Sequence, residues 1–219
     1  MLTYEQIKKN PDIKVYITGA DDSLKALGFT EHSFAHVTKV AVTAEYILQR
    51  TGHSQREIEL AKIASHLHDI GNLVNRTDHS LSGAVMAFRI LDNLGFKSDE
   101  IATITTAIGN HDEGSGIPVN DIAAALILAD KSDVRRSRVR NTDYSTFDIH
   151  DRVNYSVVKS DLEIDQSNTT ITLNLDIDTE ISSVMDYFEI FLGRMILCRK
   201  AAEKLGLKFN LIINGQTLL

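Results

Sequence analysis

The sequence predicts a mainly helical protein that closes with a smaller α+β segment. Three observations carry this prediction. Apolar residues recur at the 3.6-residue helical period from the first residues to Ala129. Ser, Thr and Asn stand where helix N-caps are needed, and the chain has only 2 prolines to break helices. After Asp151 the period changes to two, the mark of half-buried strands.

The elements follow in order. Thr3 with Gln6 forms a capping box for a short helix, and Pro11 opens a second that stops at Gly28. Thr30 is the expected cap of a third, whose apolar stripe is Val37, Val40, Ala41, Ala44, Ile47 and Leu48. Ser54 with Glu57 forms another capping box, with a run through Leu67 and a stop at Gly71. Leu81, Ala84, Val85, Phe88 and Leu91 mark a helix opened by His79. Ser98 caps the next, and Asn120 caps a very apolar one, Ile122 to Ala129, expected to be central. In the tail, Leu162–Ile164 and Ile171–Ile177 read as a hairpin turning at 165–168. A long helix over 181–206 and a strand over 207–213 complete a β-β-α-β pattern. The expected division is therefore 1–150, helical, and 151–219, an appendage suited to dimerisation.

Composition narrows the function. The net charge of −7 argues against general nucleic-acid or membrane binding. A single cysteine excludes an internal disulfide framework and a cysteine zinc site. No cationic-then-apolar start and no long apolar run are present, so a cytoplasmic protein is expected. All 8 histidines lie at or before His150. His36 shares a helix face with Val40, His68-Asp69 ends an apolar helix, and His79 and His111 stand at the ends of helices. Asp130 follows a nearly continuous apolar run, where an unpartnered carboxylate would be costly. Imidazole with carboxylate suits Mn, Fe, Zn, Co or Ni, as one or two ions, and Mg, which favours carboxylates, stays open as an alternative. Lys131, Arg135, Arg136, Arg138 and Arg140 follow directly, a local positive patch with Lys131, Arg135 and Arg138 at helical spacing.

The ordered set His36, His68-Asp69 and Ala129-Asp130 resembles the H…HD…D signature of the HD-domain superfamily of metal-dependent phosphohydrolases. The likeness covers roughly residues 30–140 and implies an HD-type helical domain. It implies His36, His68, Asp69 and Asp130 as ligands of a divalent ion, and metal-activated hydroxide attacking a nucleotide or related phosphoester. His79 and Asn110-His111 are similar to further histidines of the HD-GYP and dinucleoside polyphosphate hydrolase members. These two would hold a second metal or protonate the leaving oxygen, and Asp69 would bridge two metals or accept a proton. Gly114-Ser115-Gly116-Ile117-Pro118 is similar to the Gly-x-Gly-Tyr-Pro segment of the HD-GYP group, with Ile117 in place of its Tyr. Asn72 stands where Lys or Arg often follows the doublet's Gly. Lys131 and Arg135 are the expected phosphate-binding pair. His32, His53, His66 and His150 are expected to be structural or superficial, and the tail to have no share in the metal chemistry. Two rival readings are a metal- or nucleotide-binding signalling module without turnover, and a nucleic-acid protein using the 131–140 arginines.

Overall fold

The computed structural model describes residues 2–219. Its helices are α1 (Tyr4–Lys9), α2 (Pro11–Ala26), α3 (Phe34–Arg50), α4 (Gln55–Leu67), α5 (His79–Asn93), α6 (Ser98–Gly109) and α7 (Asp121–Lys131). Then come α8 (Ile149–Ser156), β1 (Val157–Ile164), β2 (Thr170–Ile177), α9 (Val184–Lys204), β3 (Lys208–Ile213) and β4 (Gln216–Thr217). The mainly helical class with a small α+β tail is what the sequence predicts. The capping boxes at Thr3 and Ser54 are present, and the Asn120 side chain accepts from Ala123 N.

Two helix starts differ from expectation, while α4 ends where the His68-Asp69 doublet predicts. Ser33, not Thr30, caps α3, because the Asp21 carboxylate and the Arg138 carbonyl hold the backbone N–H groups of His32 and Glu31 ahead of it. Ser98 is the first residue of α6 rather than its cap, which is Lys97. The α4 helix ends at Leu67, and a short 3₁₀ turn, Ile70–Leu73, follows before α5. That end lets His68 and Asp69 leave the helix and face inward.

Helix α7 is the axis of the fold. Residues Ile122 to Ala129 are all buried, and the helix packs against α3, α4, α6 and α9. A helix apolar all round belongs in such a place. Its C-terminal end carries Asp130 and Lys131 into the middle of the molecule. The sheet order is β1-β2-β3-β4, with β1 antiparallel to β2 in register Leu162↔Leu173. Strands β2 and β3 are parallel, as a connection through α9 requires. Ile171, Leu173, Leu175, Phe209, Leu211 and Ile213 are buried, within one apolar core shared with α7 and α9. Helix α8 runs across position 150, so the expected division there falls inside a helix. Among the described residues, no helix is long and apolar enough to cross a membrane.

The turn after Asp69 is seated on α5 by two glycines. A Cβ on Gly71 would overlap the His79 carbonyl oxygen and crowd Gly83 N, while Gly83 lies against the His68 carbonyl. This close approach brings His79 beside the His68-Asp69 doublet. Gly71→Ala must push α5 away and is expected to cost about 1–3 kcal/mol, as overpacking does. Chemical denaturation checks this; an unchanged midpoint would contradict it.

Candidate metal centre

Four imidazoles from four places in the chain converge: His36 on α3, His68 after α4, His79 at the start of α5 and His111 after α6. All four are buried. Each has its Nδ1 turned to an oxygen. His36 Nδ1 lies 2.8 Å from Asp133 Oδ2, and His68 Nδ1 lies 2.8 Å from the Ser65 carbonyl. His79 Nδ1 meets the Arg76 carbonyl at 3.2 Å, and His111 Nδ1 the Ile108 carbonyl at 2.6 Å. A carbonyl or ionised carboxylate only accepts, so each Nδ1 donates and each neutral ring turns a bare Nε2 to the centre.

Around those Nε2 atoms lie two carboxylates. His36 Nε2 is 3.5 Å from Asp69 Oδ2 and 3.3 Å from Asp130 Oδ1. His68 Nε2 is 3.1 Å from Asp69 Oδ2 and 3.6 Å from Asp130 Oδ1. The other Asp69 oxygen, Oδ1, is 3.5 Å from His79 Nε2 and 4.0 Å from His111 Nε2. One carboxylate thus faces two imidazole pairs. His36 Nε2, His68 Nε2 and Asp69 Oδ2 are buried with no hydrogen-bond partner. His79 Nε2 and His111 Nε2 face each other at 3.3 Å, although both rings donate through Nδ1. Two lone pairs at that distance repel unless a cation lies against them. The donors therefore fit a metal ion: His36, His68 and Asp130 form one group able to hold an ion, and His68, Asp69 and His111 another.

The electrostatics agree. Burial disfavours charge on His68, but Asp69 and Asp130 outweigh it and push its pKa up to about 10. Burial would raise the Asp69 and Asp130 carboxyls; for Asp69 the facing histidines reverse this, and for Asp130 Lys131 and the same histidines do so, leaving both well below the usual range. Burial, with His68 and Lys131 nearby, pushes His111 down to about 3. Burial also lowers His79. The cluster thus calls for positive charge beside Asp69 and Asp130 while keeping His79 and His111 neutral.

The centre opens into a cavity of about 310 Å³. Asp69, His79, His111, Asp130 and Lys131 line it, as do Phe29, His32, Arg76, Arg138 and Arg194. Lys131 Nζ is ion-paired with Asp130 Oδ2 and Glu113 Oε2, both at 2.8 Å. Arg135 is not on the wall. The α7 helix ends at Lys131, so helical spacing does not extend to Arg135, which turns to Asp133, Ser137 and Glu31. Arg138 takes the wall position instead. The remaining arginines of the run are held elsewhere, Arg136 by Asp178 and Tyr155 and Arg140 by Asp21, so no open basic strip forms. Two expected bystanders, His32 and His150, line the cavity. His66 does not; it is buried edge-on to Tyr4 with neither nitrogen partnered, and burial pushes its pKa down to about 4. The tail, expected to have no share in the metal chemistry, supplies Ile190, Phe191 and Arg194 to the cavity wall. Asp133 was passed over in the sequence. Its position three residues after Asp130 was the available signal, but only the fold shows its bond to His36.

The HD-domain family model matches residues 33–144, and the chain belongs to that family. An uncharacterized protein of Methanocaldococcus jannaschii is 25% identical over 162 residues, 64% of this chain. The match spans 62% of that relative's length. Among solved structures, a predicted HD superfamily hydrolase from an uncultured Thermotogales bacterium is 23% identical. That likeness covers 62% of this chain and 75% of the other, with a TM-score of 0.44.

Asp133 is fully buried and is offset by Arg138, Arg135 and Lys39. Arg138 also donates to the carbonyls of Asp133 and Glu31. Arg138→Met leaves these acceptors short of a buried donor and is expected to cost about 3 kcal/mol. Guanidinium unfolding measures it; a loss below about 1 kcal/mol, the usual worth of an exposed pair, would contradict it.

Proposed function

We propose that the protein is a phosphohydrolase that uses two divalent ions to cleave a small phosphoester, a nucleotide or a related compound. The observation that carries this reading is the pair of neutral imidazoles, His79 and His111, facing each other across Asp69 from the His36–His68 pair. His36, His68, Asp69 and Asp130 would hold one ion. His79, His111 and the second oxygen of Asp69 would hold the other. Ions so bound lower the pKa of water towards about 7 and offset phosphoryl charge. Mn, Fe, Zn, Co and Ni all suit imidazole and carboxylate donors.

The residues around the ions have distinct tasks. The Ser65, Arg76 and Ile108 carbonyls and the Asp133 carboxylate fix the ring orientations, which raises ligand basicity. His79 and His111 are neutral with lowered pKa, which supports the role of ligand over that of proton donor. Burial would strip the charge from Lys131, but Asp130 and Glu113 raise its pKa, so it keeps its proton and acts through its field. Lys131 and Arg138 would offset phosphate charge, Arg138 in place of the expected Arg135. Preorganised cations of this kind stabilise charge that develops in the transition state. The cavity is at the small end for ligand pockets, which favours a substrate no larger than a mononucleotide.

Metal analysis with a phosphoester panel on wild type and Asp69→Ala tests the reading. Wild type should carry about two ions per chain. Asp69→Ala should lose most bound metal and at least about a hundredfold in turnover. Equal metal in both proteins, or no turnover of any phosphoester with any metal, would overturn it.

A further inference from the structure

We infer that Arg194, on the C-terminal helix α9, is an anion-binding residue of this site, taking phosphate or the dianion of a phosphomonoester. This rests on the phosphohydrolase reading above. Arg194 lies outside the residues 33–144 that the family model matches.

Three contacts carry the inference. Arg194 Nε donates to Glu113 Oε1 at 2.8 Å. Its guanidinium lies over the Phe191 ring, 4.2 Å from the centroid. Its side chain is mostly buried and lines the same cavity as Asp69, His79, His111 and Asp130. One edge and one face of the planar group are thereby fixed. Among the described residues, no protein acceptor is bonded to either Nη atom, so four of its five N–H donors remain for a ligand. A planar fork held in one orientation is suited to two oxygens of one phosphate.

The charge pattern points the same way. Glu113 is shared, with Oε2 on Lys131 and Oε1 on Arg194. Lys131 is paired with Asp130 as well, so Glu113 is divided between two cations and neutralises Arg194 only in part. Burial would raise the Glu113 carboxyl, but Lys131 and Arg194 hold it well below the usual range, so it stays a fixed acceptor. Glu113 sets the direction of both cations, and Arg194 brings the tail into the recognition of substrate charge.

The alternative is an ion pair that only fastens α9 to the loop after α6. Calorimetric titration of the metal-loaded full-length protein with inorganic phosphate separates the two. Wild type, Arg194→Gln and Arg194→Lys are compared, with metal content and melting temperature recorded for each. Anion binding predicts unchanged metal content, phosphate binding weakened about tenfold or more in Arg194→Gln, and an intermediate loss in Arg194→Lys, which keeps the charge but not the fork. Phosphate binding equal to wild type in the variants, whatever their melting temperatures, overturns the inference and leaves the phosphohydrolase reading standing. Should Arg194→Gln not fold, equal phosphate binding by Arg194→Lys and wild type overturns it alone. No phosphate binding by metal-loaded wild type overturns both.

Discussion

The Asp69 carboxylate is buried among four imidazoles, and the rest of the structure is arranged around that constraint. An ionised carboxylate out of water needs compensating charge or donors. In their neutral forms the surrounding rings have spent their single N–H groups elsewhere, on Asp133 and on the carbonyls of Ser65, Arg76 and Ile108. Bare nitrogens therefore face bare oxygens. The arrangement is stable as a container for cations and poor as a self-sufficient hydrogen-bond network.

Holding it together requires backbone precision. His68 and Asp69 leave α4 one turn before the next glycine, and Gly71 and Gly83 let the following turn lie directly on α5. Helix α7, buried along its length, fixes how deep Asp130 sits. Asp133, just beyond, ties His36 to the segment that Arg138 anchors. Packing and the placement of the candidate ligands are thus set by the same few residues.

Much of this was legible in the sequence. The helical period, the caps at Thr3, Ser54 and Asn120, and the alternation after Asp151 each reflect local physics and predicted the matching elements. The H…HD…D order with His79 and His111 named residues that the fold brings within bonding reach of one another. Arg135 was misplaced because helical spacing was extended past Lys131, where α7 stops. Asp133, Arg194 and the cavity positions of His32 and His150 depend on contacts between distant segments, which no local pattern encodes. The absence of histidine after His150 suggested a tail with no share in the metal chemistry, yet an arginine reaches the cavity from α9.

The central claim is that Asp69 joins two cation sites. Anomalous diffraction from crystals grown with manganese tests it directly. The account predicts two peaks on opposite sides of the Asp69 carboxylate, one against His36 and His68 and one against His79 and His111. A single peak, or none within reach of Asp69, would contradict it.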